Sequence, residues 1–270
     1  MNAASALRIR TRPSQRVALA LGSGGARGLA HIGVIQALEA QGCEIVAIAG
    51  SSMGALVGGI HAAGRLSAYR DWVRTLDRQR IAGLLDLGLG AGGLFKGQRI
   101  MDKLHELVGD APIERLATPF TAVSTDLETG EELHLREGSL FEAVRASMAA
   151  PMVFTPHRLH GRLLADGGLV NPLPVSALPR SPGVTLVAVD LSGPPMHRRQ
   201  PRKGDRGLVD VALLSMQAVQ DTVTRLRLAE VAPDLLISVP RDACGFHEFW
   251  RVDEMVALGQ RLLDEAWAGR

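Results

Sequence analysis

Gly50-Ser51-Ser52-Met53-Gly54 sets a serine between two glycines, directly after the apolar run Ile45 to Ala49 and directly before another, Ala55 to Ala63. At a strand-to-helix turn, G-x-S-x-G holds its serine in a strained backbone geometry. The hydroxyl is lifted clear of the sheet, with a helix N-terminus beneath it. Ser52 is therefore the candidate nucleophile, and Gly50, Met53 and Gly54 support the turn. A serine hydroxyl is weak by itself; it needs a base within hydrogen-bond reach and donors for the oxyanion formed on attack. Gly22-Ser23-Gly24-Gly25-Ala26-Arg27-Gly28 offers donors, because a backbone poor in side chains lets successive N–H groups converge on one negative oxygen. Gly24, Gly25, Ala26, Arg27 and Gly28 are the candidate oxyanion residues.

For the base, the chain has eight histidines. His31 and His61 fall in predicted helices near the motifs, and the others carry no spacing cue. Asp166-Gly167-Gly168 is sharper: an acid ending the apolar run Leu163 to Ala165, followed by glycines that permit close backbone approach. Burial would raise the aspartate's pKa and strengthen it as a base, as a Ser-Asp dyad without imidazole requires. Read alone, the same triplet is an ordinary hairpin or Asx-turn.

Two other readings use the same residues. From Ile45 to Gly64 there is no Asp, Glu, Lys or Arg, which is about the 20 residues that a bilayer-spanning helix needs. Gly50, Gly54 and Gly58 even follow small-xxx-small spacing. Against a span stand Ser51, Ser52, His61, the poor helix propensity of glycine and the lack of a flanking basic cluster. Gly22, Gly24 and Gly28 also make a loose dinucleotide pattern. Arg27, however, stands where a small residue is needed, no acid ends the second strand, and no Gly-Lys-Ser/Thr follows.

These residues must be positioned by the elements around them. Arg16 to Leu21 reads as a strand, about Leu29 to Gln41 as a helix with an Ile32, Ile35, Leu38 face, and Ile45 to Ala49 as a second strand feeding the serine turn and its helix. Strand-helix-strand-helix order predicts a parallel sheet covered by helices. Further on, the patterns predict helices over 67–80, 98–108, 140–148, 208–230 and 252–268. Strands are expected over 120–125, 132–135, 185–189 and 234–239, with a hairpin over 157–165. Residues 83–97, rich in Gly and Leu, read as a loop, either a lid beside the site or a plain connection. The expected fold is α/β, a three-layer α/β/α domain over residues 16–270 with a mostly parallel central sheet, after a basic flexible tail at 1–15.

With 46% apolar and 21% charged residues, the chain reads as globular. Aromatics at 4% argue against base-stacking nucleic-acid modules, so no nucleic-acid partner is expected. Cys43 and Cys244 are too few for a metal cluster or a disulfide framework, and no metal or cofactor is expected. The net charge of +2 is small, but basic residues gather at Arg8, Arg10, Arg12 and Arg16 and again from Met196 to Arg206. These segments are either solvated or touch an anionic membrane surface. No apolar h-region opens the chain, which predicts a cytoplasmic protein, peripheral on the inner membrane face if the basic segments bind lipid.

The glycine loop with Arg27, the Gly50–Gly54 turn and Asp166-Gly167-Gly168, in that order, resemble the patatin-like phospholipase family of serine lipid acyl hydrolases. Ala146-Ser147-Met148-Ala149-Ala150-Pro151 and Asn171-Pro172-Leu173-Pro174 look like segments flanking that family's aspartate, and the resemblance runs from about Arg16 to Val239. It implies a patatin-like fold, a lipid or ester substrate, Ser52 as nucleophile, Asp166 as base and oxyanion donors from Gly24 to Gly28, helped by Arg27. Ser23 stands where the family often has glycine, which implies an altered loop geometry with function retained. A binding or regulatory protein on the same fold, or a nucleotide-binding enzyme using Gly22–Gly28, are the competing functions. The oligomeric state is left open.

Overall fold

The computed structural model describes residues 15–88, 92–196 and 207–268. Its first half opens with β1 (Arg16–Leu21), a 3-10 turn (Gly25–Leu29), α1 (Ala30–Ala40), β2 (Glu44–Ser51) and α2 (Met53–Ala62). There follow α3 (Leu66–Val73), α4 (Arg78–Leu84), β3 (Gly93–Phe95), α5 (Gln98–Val108), β4 (Phe120–Asp126) and β5 (Glu132–Leu135). The second half holds α6 (Leu140–Ser147), β6 (Met152–Phe154), β7 (His157–Leu159), β8 (Arg162–Asp166), β9 (Val184–Gly193), α7 (Leu208–Glu230), β10 (Leu235–Pro240) and α8 (Val252–Ala268).

β10, β9, β1, β2 and β4 lie side by side, all parallel. β1 is flanked on both edges and covered on both faces, so it reads Val-Ala-Leu-Ala-Leu without a polar residue after Arg16. Its larger side chains, Val17, Leu19 and Leu21, join Ile48, Val187 and Val189 beneath α1, α2 and α8. Its alanines, with Ala47, Ala49 and Ala188, face a thinner layer made by Leu173 to Leu178 and partly buried Leu228 of α7. The sheet is thus helix-flanked and mostly parallel as expected, with β5, β7 and β8 antiparallel.

One register detail positions the site. Ala122 and Val123 of β4 pair with both β2 and β5, while Ser124 and Thr125 pair with both β5 and β8. β2 and β8 therefore share one edge of β4 and meet end to end. Ser51 pairs with Val123 and Asp166 with the next residue, Ser124.

Two expectations change, and one holds. Residues 67–80 form two helices, because Asp77 caps a new start by accepting from the Arg80 N–H at 2.8 Å. The supposed loop at 83–97 holds the end of α4 and β3, which pairs in parallel with β6; three-residue strands are too short to show a period of two. The charge-free stretch 45–64 is divided between β2 and α2 at Ser52, and no helix among the described residues is long and apolar enough to cross a membrane. Arg8, Arg10 and Arg12, and the basic residues from Arg198 to Arg206, lie outside the described residues, while Arg16 sits 3.7 Å from Glu44 on the surface.

Candidate active site

Ser52 joins β2 to α2 with φ +54° and ψ −118°, a left-handed-side backbone that a serine adopts only under constraint. The constraint is visible around it. A Cβ on Gly54 would lie 2.0 Å from the Leu21 carbonyl oxygen, and one on Gly50 would lie 2.3 Å from the Gly54 backbone, so only hydrogen fits at either place. The Ser52 N–H donates to Ser147 Oγ at 3.0 Å, and that hydroxyl donates to the Val123 carbonyl at 2.6 Å. A serine at a helix start ordinarily turns its oxygen back onto the first-turn N–H groups; Ser52 makes no such cap. Its hydroxyl is directed elsewhere.

The Ser52 side chain neighbours the Asp166 carboxylate, and Asp166 Oδ1 accepts from the Gly168 N–H at 2.7 Å. The aspartate is buried, and its pKa is pushed up to about 6 by desolvation, against the lowering effect of Ser52 and the Gly168 N–H. Its backbone is held from three sides: Asp166 N–H donates to Ala149 O, Thr125 Oγ1 donates to Asp166 O, and Ser124 Oγ donates to Ala165 O. Gly167 is required next, since a Cβ there would sit 2.1 Å from the Val123 carbonyl oxygen. A Cβ on Gly168 would meet Gln220 of α7 and Ser23 of the glycine loop, so three elements converge on this turn.

The glycine loop lies at the end of β1, beside the serine turn: a Cβ on Gly28 would lie 2.5 Å from Met53 Cβ. Gly24 packs on Leu191 and Gly25, at φ +60°, packs under Phe246. Gly24 and Gly25 stand at the head of the 3-10 turn, where N–H groups lack intrahelical acceptors. Two expectations fail here. The Ala26 N–H is committed to the Phe246 carbonyl at 2.9 Å. The Arg27 guanidinium is buried and turned away, donating to the carbonyls of Leu191 (3.0 Å) and Arg241 (3.2 Å); burial lowers its pKa, while nearby Cys244, Asp221 and Asp190 oppose that shift. Arg27 anchors the loop from behind. His31 does likewise from below, its Nε2 2.9 Å from the Gly22 carbonyl, and full burial lowers its pKa to about 4, so the ring is neutral and Nε2 carries the donated proton.

Ser52 and Gly25 open into a cavity of about 350 Å³. Among the described residues no Asp, Glu, Lys or Arg lines it; apart from Ser52, its described polar side chains are Tyr69, Trp72 and His247. Leu84, Leu85 and Leu94, from the stretch read in sequence as a loop, form part of its wall.

A family model described as patatin-like phospholipase matches residues 19–179. The chain belongs to the patatin-like phospholipase family. Its membership supports a lipid acyl hydrolase. An NTE family protein of Mycobacterium tuberculosis (strain ATCC 25618 / H37Rv) is 36% identical over 342 aligned positions, covering 98% of this chain and 95% of that one. Patatin-like phospholipase domain-containing protein 6 of Homo sapiens is 34% identical over 183 residues, 65% of this chain but 13% of the human protein. Among solved structures, VipD from Legionella pneumophila aligns with a TM-score of 0.49 at 15% identity, over 94% of this chain and 67% of that one. The matched family span contains Gly24–Gly28, Ser52 and Asp166; α7, Phe246 and α8 lie beyond it.

Sequence reasoning did not assign Ser147, which fixes the Ser52 backbone, or Phe246, which clamps the glycine loop. Ser147 falls within a flanking segment that the family resemblance marked. Phe246 carries no local signal, because its contact partner lies 220 residues away in the chain.

Proposed function

We propose that the chain hydrolyses carboxylic ester bonds of lipids through an acyl-serine intermediate. The observation that carries this reading is a serine at a strained strand-to-helix turn, Ser52, that lines an apolar cavity and neighbours the buried Asp166 carboxylate closely enough to lower its pKa. Ser52 Oγ attacks the acyl carbonyl while its proton passes to Asp166. The resulting oxyanion is received by the N–H groups of Gly24 and Gly25, with the Met53 N–H at the first position of α2 as a further donor. Asp166 returns the proton to the departing alcohol. It then takes a proton from water, whose oxygen attacks the acyl-serine, and passes that proton to Ser52 Oγ as the fatty acid is released, regenerating both groups.

The cavity receives the acyl chain. Each methylene moved from water into such a lining contributes about 0.8 kcal/mol. The base suits its task, since a carboxylate near pKa 6 is ionised at neutral pH yet is a stronger base than an exposed aspartate. A fluorophosphonate probe followed by peptide mapping tests the reading. Label is expected on Ser52, absent in Ser52→Ala and strongly slowed in Asp166→Asn; label on another serine, or undiminished label in Ser52→Ala, overturns it.

A further inference from the structure

α7, the longest of the described helices, has an outer face that none of the described residues covers. Its exposed residues from Val211 to Thr222 are Val211, Ser215, Ala218, Val219 and Thr222, none of them charged. Val219 is 58% and Val211 47% exposed, and Leu226 continues the stripe at 61%. Asp221, on the same stretch, is turned inward to Arg241 at 3.0 Å. The two hydroxyls are already satisfied within the helix: Ser215 Oγ donates to the Val211 carbonyl at 2.8 Å and Thr222 Oγ1 to the Ala218 carbonyl at 3.1 Å. Such back-bonding lowers the cost of moving this face out of water into an apolar medium.

The face is continuous with the candidate site. Alongside α7, exposed Met152 of β6 and the exposed Leu94 of the adjoining β3 extend the apolar surface. Leu213 of α7 lines a surface groove with Met152 and Met216 and also lines the acyl cavity, so one side chain separates the outer surface from the interior. In sequence, Arg198, Arg199, Arg202, Lys203 and Arg206 come immediately before the helix, with Asp205 the one acid among them. An apolar face that follows a basic run in sequence is complementary to an anionic bilayer, whose headgroups attract cations while its hydrocarbon boundary receives apolar side chains.

We propose that the outer face of α7, with Met152 and Leu94, docks on an anionic phospholipid bilayer and sets the acyl cavity against the lipid surface. The inference rests on the lipid-hydrolase reading for its purpose, but its test is independent of turnover. Binding of the full chain carrying Ser52→Ala to phosphatidylcholine vesicles, with and without phosphatidylglycerol, is measured by co-sedimentation. The expected result is binding that requires phosphatidylglycerol, weakens with added salt, and falls at least tenfold in Val211→Asp/Val219→Asp. On the Ser52 background, the same double substitution should leave hydrolysis of a soluble short-chain ester unchanged. Equal vesicle binding with and without Val211→Asp/Val219→Asp overturns the proposal, as does a dimer in solution that the double substitution dissociates, which would assign the face to a second copy. Vesicle binding without any ester turnover would instead leave the docking face standing and remove the hydrolase reading.

Discussion

Two glycine-bearing turns leave the same edge of the sheet, one after β1 and one after β2, and they solve opposite problems. The turn at Gly50–Gly54 presents a side chain: glycines flank a serine held at positive φ, and the backbone is bonded away so that the hydroxyl is left for Asp166. The turn at Gly22–Gly28 presents backbone. Its one long side chain, Arg27, is drawn behind it onto the carbonyls of Leu191 and Arg241, and Ala26 is pinned to Phe246. In the proposed reaction the nucleophile is thus aimed mainly by local strain, with one distant anchor at Ser147, whereas the donors are aimed mainly by anchors distant in sequence. The first should be sensitive to changes within five residues, the second to changes across the chain.

Removing the presented groups should have the largest effects. Ser52→Ala is expected to lower kcat by about 10⁶-fold, read by lipid-ester turnover. Asp166→Asn should cost about 10⁴-fold and yet stabilise the protein. A folded-state pKa near 6 against 3.8 means that the folded chain binds this proton more tightly than the unfolded chain, so stability is lost as pH rises from about 4 to about 6 and stays lost above. Asp166→Asn should therefore gain about 3 kcal/mol at pH 8, seen as a rise of about 8 °C in Tm, and gain nothing near pH 3. A Tm at pH 8 that falls would show that the carboxylate is not under desolvation strain. In the unaltered chain, kcat/KM should rise with pH through about 6 as this carboxylate ionises.

The backbone-presenting turn should respond less steeply. Gly24→Ala places a Cβ 2.6 Å from Leu191 Cβ and should shift the loop enough to cost about 10²-fold in kcat, comparable to losing one oxyanion donor. Arg27→Met strips two carbonyls of their donor and leaves Asp190 and Asp221 with one cation, Arg241, in place of two. It should lower stability by about 2–4 kcal/mol, measured by urea unfolding, with a rate loss near tenfold. If Arg27→Met were silent for stability but abolished turnover, Arg27 would be acting on the oxyanion and not on the loop. The smallest effect should come from substrate length: kcat/KM should rise about fourfold per methylene until the cavity is filled, then level off.

The serine turn was legible because the glycines and apolar runs that mark it are local, although Ser147 and Leu21, which also hold it, are not. Gly50, Ser52, Gly54 and the two apolar runs lie within twenty residues, and the tightness of the turn admits few alternatives. Asp166 was legible in the same way, as an acid at a strand end before two glycines. What the chain did not reveal was the state of each candidate donor: Ala26 and Arg27 look like loop residues with free groups until Phe246 and Arg241 are brought against them. The β3–β6 ribbon escaped notice for a related reason, as strands of three residues show no pattern of their own and exist only because each supplies the other's hydrogen bonds.

By itself the sequence determined the strand-to-helix turns, since hydrophobic period and glycine placement act over a few residues. Only tertiary structure decided which groups meet. Ser52 and Asp166, 114 residues apart, are joined because β2 and β8 share one edge of β4, a register set by pairing across the sheet and invisible to any local pattern. The basicity of Asp166 likewise arises from its surroundings, because a carboxylate's pKa is fixed by the water that packing removes.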